Sequence, residues 1–231
     1  MEILELTEEV VGSVNSVPPP PDNLLSSLPG ARAVEYDQGQ IIYGETHPAS
    51  AVFLIVDGRV ETSRLASGGR RVVVDIYRTH DIFGECALLA RPEINEQARS
   101  LEASKVLAWT ALELEHGILA QPEIALELLR ILARRAADLR RRMESLSLDT
   151  MNRRLARSLI HFADRFGPPD RDEPARLTGF THELLARYVG TSREVITKFM
   201  NQLRREGCLW YSRDEIIVRR QALQDWLRQT K

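Results

Sequence analysis

Cysteine is nearly missing from this 231-residue chain: Cys86 and Cys208 stand alone, far apart and in no C-x-x-C pair. That excludes a disulfide scaffold, a zinc knuckle and a four-cysteine iron–sulfur site. No apolar run approaches the roughly 20 residues a membrane-spanning helix needs. Glu2, Glu5, Glu8 and Glu9 occupy the start of the chain in place of a basic-then-apolar leader, so the expectation is a cytoplasmic protein with no membrane partner. There is no phosphate-cradling glycine loop, no nucleophile elbow and no H-E-x-x-H, and the chain is read as no enzyme. His47, His80, His116 and Cys86 are the candidate haem ligands. No two have diagnostic spacing, so they are read as scattered polar residues and no metal site is expected.

Charge is plentiful but unevenly placed. Residues 1–150 carry 15 Lys and Arg against 23 Asp and Glu, residues 151–231 carry 16 against 10, and the net charge is −2. An acidic front and a basic back predict two domains with different partners. The basic one has the electrostatic footprint of a phosphate-backbone binder.

Residues 1–22, ending in a proline run, read as a flexible lead-in. From 23 to 117 short apolar runs alternate with turn residues. Val52–Val56 meets Asp57-Gly58, a hairpin signal, and Ser67-Gly68-Gly69 marks another turn. The pattern predicts an antiparallel sandwich or barrel. From 118 to 150 the period changes to that of a helix. Ala125, Leu129, Leu132, Ala136, Leu139, Met143, Leu146 and Thr150 step by fours and threes, which predicts a parallel homodimer coiled coil with Leu129, Leu132, Ala136, Leu139, Met143 and Leu146 at the interface. Leu148–Met151 reads as a hinge, with Asp149 or Thr150 available to cap the next helix. Residues 151–231 form the last domain. A helix over 152–166 ends at Gly167-Pro168-Pro169, a polar loop runs to Arg176, and then come a short helix from Thr181, a turn at Gly190, a second helix from Ser192, a hairpin over 209–219 and a final helix.

On that second helix Ile196, Phe199 and Leu203 share an apolar face with Met200 beside them. Arg193 stands apart, and Glu194, Lys198 and Asn201 form a polar stripe. Arg or Lys can donate to guanine, and a carboxylate can accept from the cytosine amine. A Glu facing phosphates would be repelled unless it reads a base, so the arrangement points to double-stranded DNA. Cys208 reads as a half-buried structural thiol, and Trp210 and Tyr211 as wing residues that pack or touch phosphate.

Val189-Gly190-Thr191-Ser192-Arg193-Glu194 resembles the recognition signature of the cyclic-AMP receptor protein / fumarate–nitrate regulator (CRP/FNR) family of bacterial transcription regulators. The resemblance extends from about Leu24 to Arg219 and includes Val52–Gly58 and Phe83-Gly84-Glu85. It implies an α+β protein: an N-terminal antiparallel, jelly-roll-like β-roll of the cyclic-nucleotide-binding kind, a long dimerisation helix, and a C-terminal winged helix-turn-helix. It implies a homodimer on a palindrome with half-sites related to TGTGA. Arg193, Glu194 and Lys198 are the base readers, and Ser192 and Thr181 the phosphate contacts. His182 stands where an arginine is frequent. RNA polymerase is the implied partner at the Pro168–Arg176 loop.

In the β-roll the resemblance assigns Gly84, Glu85, Arg99 and Ser100 to a cyclic nucleotide such as cyclic AMP, or to another small effector. Leu139 and Arg140 fall where hydroxyls would meet the base, so only the phosphate half of that pocket is expected. The alternative at this site is a Glu85–Arg99 pair that organises the roll without a ligand. The alternative for the whole chain is a cyclic-nucleotide-binding module without a specific DNA target.

Overall fold

The computed structural model describes residues 25, 28–45, 47–66, 69–89 and 95–230. The 1–22 lead-in, Ser67-Gly68 and the Pro92–Ile94 segment lie outside the described residues.

The N-terminal half is a sandwich of two four-stranded antiparallel sheets. One runs in the order β1 (Arg32–Tyr36), β8 (Ser104–Trp109), β3 (Val52–Asp57), β6 (Ile82–Phe83). The other runs β2 (Ile41–Tyr43), β7 (Glu96–Ser100), β4 (Val60–Leu65), β5 (Arg71–Tyr77). Between them the rings of Tyr43, Phe53, Tyr77 and Phe83 stack at centroid distances of 4.9 to 6.2 Å, with Ile55, Val60, Ala98 and Val106 filling the remainder.

The hairpin expected at Asp57-Gly58 is a corner instead. β3 pairs with β6 and β8, β4 pairs with β5 and β7, and the two strands belong to opposite sheets. Gly58 has φ of +92°, and a Cβ there would lie 2.3 Å from Ser104 Oγ and 2.6 Å from the Ala103 carbonyl. The sharp turn needs glycine for conformation and for space. A two-residue hairpin and a sheet-to-sheet corner use the same turn chemistry, and the inward burial of both flanking strands selects the corner.

The helix expected over 118–150 is two helices. α1 (Ala111–Ala120) starts at a reciprocal capping box between Thr110 and Glu113, and α2 (Glu123–Leu148) follows a break at Gln121-Pro122. Proline lacks the amide that would continue the ladder. Leu114 of α1 with Ile124 and Leu128 of α2 close over Val52, Leu54, Ile82 and Trp109 on the outer side of the first sheet.

The C-terminal half comprises α3 (Met151–Phe166), β9 (Ala175–Thr178), α4 (His182–Val189), α5 (Arg193–Arg205), β10 (Leu209–Tyr211), β11 (Glu215–Val218) and α6 (Arg220–Gln229). β9 is an addition to the sequence reading: Ala175 and Leu177 alternate inward from a stretch read as loop, and the hairpin becomes a three-stranded sheet in the order β10-β11-β9. Phe162 sits at the core, 4.6 Å from the Tyr188 ring and 4.8 Å from Phe180. Buried Arg220 donates to the carbonyls of Ala163, Pro168, Asp170 and Glu173 and so fixes the loop after α3.

The two halves are packed on each other. Val73 and Ile76 of β5 lie in the same apolar cluster as Leu159, Leu185 and Ile196. Around that contact sits a ring of arginines. Arg165 of α3 reaches Asp75 at 2.6 Å and Asp81 at 2.7 Å. The two terminal guanidinium nitrogens of Arg187 in α4 reach Glu61 of β4 at 2.9 Å. Arg142 of α2 donates to the carbonyls of Val73, Val74 and Tyr188.

Candidate nucleic-acid interface

The two short helices expected in the C-terminal half are α4 and α5. Thr181 caps α4 by accepting from Leu184 N at 3.1 Å, and Ser192 caps α5 by accepting from Val195 N at 3.4 Å. Between them Gly190 takes the left-handed conformation and, with Thr191, donates to the Ala186 carbonyl. Leu184, Leu185 and Tyr188 on one helix and Ile196, Met200 and Leu203 on the other are buried. Two hydroxyl caps and one apolar seam thus fix the angle of α5.

With that face buried, Arg193, Glu194 and Lys198 project from the opposite side, and all three are exposed. Hydrogen bonds from Ser192 and from its own backbone, with Arg193 alongside, hold the Glu194 carboxyl below the usual range. It is therefore an anion, able to accept and unable to donate. Lys198 is one helical turn further on. The stripe does not continue as an open surface to Asn201, whose Oδ1 accepts from the Tyr211 hydroxyl at 2.8 Å. Asn201 ties α5 to β10.

His182 is half-buried, with Nδ1 2.9 Å from Thr197 Oγ1 and its ring against Tyr211. Burial and the neighbouring Arg193 push its pKa down. Tyr211 and Trp210, taken together in the sequence, separate here. Tyr211 points at α5, under the Arg204 guanidinium at 5.1 Å, while Trp210 on the other face of β10 is 49% exposed. Strand alternation was the signal for that split. Cys208 is buried rather than half-buried, and burial raises its thiol pKa, a setting that keeps the thiolate scarce.

The structure does not bring Gly84, Glu85, Arg99 and Ser100 together, and this corrects the sequence reading. Glu85 lies 2.9 Å from Arg135 of α2, not near Arg99. Arg99 faces Glu61 directly across the β7–β4 ladder and reaches it at 2.7 Å. Alternation explains it: Ala98 points into the sandwich, so Arg99 points out. Ser100 is buried, its hydroxyl within hydrogen-bond reach of the Glu102 carbonyl and Ser104 Oγ. Gly84 makes its close approach to the Ala51 carbonyl, where a Cβ would come within 2.7 Å, and to the Phe53 ring. Glu85 and Arg99 thus have separate partners, and the Glu85–Arg99 pair offered as the alternative is not formed. The cleft bounded by Asp75, Arg135, Asp138, Arg142, His161 and Tyr188 holds about 10 Å³, the room of one water molecule.

Arg135, a charge of α2 away from its apolar stripe, connects the roll to that helix. It donates to the Ile82 carbonyl and stacks on Tyr77 with its guanidinium carbon 4.8 Å from the ring centroid. Arg142, one heptad later, stacks on Tyr188 at 4.0 Å. Only spacing hinted at these roles, because a surface arginine and a buried arginine look alike in sequence.

Comparison with known proteins gives this geometry its context. Residues 33–118 match the Cyclic nucleotide-binding domain and residues 153–226 the Crp-like helix-turn-helix domain. The chain is 25% identical over 185 residues to the CRP-like cAMP-activated global transcriptional regulator of Mycobacterium tuberculosis, covering 80% of this chain and 83% of that protein. It is 28% identical over 189 residues to the Cyclic AMP receptor protein of Thermus thermophilus, covering 81% and 84%. Among solved structures FixK2 from Bradyrhizobium japonicum superposes with a TM-score of 0.72 at 25% identity, covering 84% of this chain and 96% of that one. With a β-roll, a long helix and a winged helix-turn-helix in this order, the chain belongs to the CRP/FNR family of DNA-binding transcription regulators.

Proposed function

We propose that this chain acts as a homodimer that reads a palindromic DNA site with Arg193, Glu194 and Lys198, while Ser192, Thr181 and His182 contact the backbone. The observation that carries the reading is a rigid, capped helix whose outward tips are a guanidinium, a carboxylate and an ammonium. Phosphate contacts alone would not use the carboxylate. Asn201 serves the same surface by fixing α5 to the wing.

The exposed stripe of α2 supports the dimer. Its Ile124, Leu128, Arg135 and Arg142 turn to the chain's own domains, while Leu129, Leu139, Met143 and Leu146 are 43–68% exposed on the other side. Leu132 and Ala136 lie between them, half-buried. An apolar stripe of this period on a helix already anchored by its opposite face suits a second copy. Two-fold symmetry then places the recognition helices in successive major grooves, roughly 34 Å apart.

A signal entering the roll would reach α2 through Glu85–Arg135 and leave it through Arg142 on Tyr188. A small effector is the agent this reading assigns to the roll, cyclic AMP or another. The Pro168–Arg176 loop, held from within by Arg220, faces outward as the surface for RNA polymerase, in the cytoplasm. Among the described residues no helix is long and apolar enough to cross a membrane.

The test is footprinting on genomic fragments with sedimentation of the same sample. A protected palindrome by a species of twice the chain mass supports the reading. Diffuse protection, or a monomer on DNA, contradicts it.

A further inference from the structure

Thr197 dictates where the proton on His182 sits. Its hydroxyl hydrogen goes to the Arg193 carbonyl, 2.9 Å away on the preceding turn of α5. The same oxygen lies 2.9 Å from His182 Nδ1. A hydroxyl whose one hydrogen is committed can only accept, so Nδ1 carries hydrogen and donates. The neutral ring is therefore the Nδ1–H tautomer, and Nε2 bears a lone pair.

The ring is gripped from the wing side too. Tyr211 meets it edge-on at 4.9 Å, and Tyr211 is itself fixed by its bond to Asn201 and by Arg204 above it. His182 is the first residue of α4, next to the Thr181 cap. The charged group of α5 that bears on it is Arg193, which together with burial favours the neutral ring. From β10 it faces the Tyr211 phenol, and within α4 its neighbour Glu183 is exposed.

We propose that His182 takes up a proton when the protein binds duplex DNA, its imidazolium then donating from Nε2 to a backbone phosphate, so that DNA affinity rises as pH falls. This rests on the reading of α4 and α5 as a DNA interface. In a helix-turn-helix the first helix crosses the backbone, and the amino end of a helix attracts phosphate. The neutral tautomer could present a phosphate only with a lone pair at Nε2, which repels it. The protonated ring presents a donor at the same atom without giving up the bond to Thr197. A phosphate also reverses the balance that keeps the free protein's ring neutral. The sign follows from linkage: the pKa is higher in the complex than in the free protein, so affinity is greatest below the free-protein value and declines as pH rises through the bound one.

The experiment is an anisotropy titration of the full chain against a labelled mixed-sequence duplex of roughly 30 base pairs, at constant ionic strength between about pH 5.5 and pH 8.0. A phosphate contact needs no specific site. Wild type should bind roughly tenfold more weakly at the upper end. His182→Gln keeps a donor for Thr197 but cannot charge, so most of that decline should vanish, leaving what His47, His80, His116 and His161 contribute. His182→Arg should bind at every pH about as tightly as wild type in acid. The salt slope of wild type in acid should exceed that of His182→Gln by about one per protomer. An unchanged pH profile in either variant overturns the inference while leaving the DNA interface standing. Wild type that binds no duplex at any pH overturns both.

Discussion

At the scale of single residues, the side chains proposed to read DNA differ in kind from those that hold the fold. Arg193→Ala or Glu194→Ala should relax discrimination at one base pair per half-site by about 1–3 kcal/mol, with the oligomeric state unchanged. Competition binding against substituted sites measures it. Arg220 is the opposite kind of residue, buried and bonded to four carbonyls. Arg220→Met should destabilise the fold by about 3 kcal/mol in denaturant unfolding, because the buried Ala163 carbonyl loses its donor and the loop carbonyls lose their common tie. The sequence exposed the first group because caps and apolar spacing locate α5 without tertiary information. It concealed the second, since nothing local to Arg220 marks the loop at 168–173 as its partner. Arg99 failed for a related reason: its type suited a phosphate, and only strand parity shows that it points away from the roll's interior.

At the scale of elements the decisive features are a corner, a hinge and a stripe. Gly58→Ala should cost about 3 kcal/mol, combining a left-handed backbone with a clash against Ser104 and Ala103. The hinge between α2 and α3 is organised by Asp149, which meets Ser145, Arg153 and Arg157. Burial opposes its charge, but those three hydrogen bonds outweigh it and hold its pKa below the ordinary value. A depressed carboxylate stabilises above its unfolded pKa and loses that contribution as pH falls through the folded one. Asp149→Asn should therefore melt below wild type near neutrality, and the difference should close below about pH 4. In thermal scans this is a direct comparison. The break between α2 and α3 was legible from Leu148–Met151, but the capping was not. Thr150 occupies the cap position without a side-chain cap bond, and Asp149 works through ion pairs. Similarly, the heptad stripe was legible while the break at Pro122 was passed over, because the apolar period runs across it.

At the scale of the whole molecule, the two domains meet in a contact built from Val73 and Ile76 and ringed by arginines on Glu61, Asp75 and Asp81. Such an arrangement couples the domains' unfolding. Wild type should show a single calorimetric transition, and the double variant Arg165→Ala, Arg187→Ala should show two. The charge division of the sequence announced two domains but not this contact, since Arg165 and Arg187 belong to the basic half and their carboxylates to the acidic one. The claim on which the rest depends is that two copies of α5 read base edges together. Selection from a random duplex library with wild type and Arg193→Ala tests it most directly. The account predicts a dyad-symmetric, G·C-bearing motif with half-sites about one helical turn apart for wild type, and loss of preference at one symmetric pair of positions for the variant. A motif without a dyad, or identical motifs for both proteins, would contradict it.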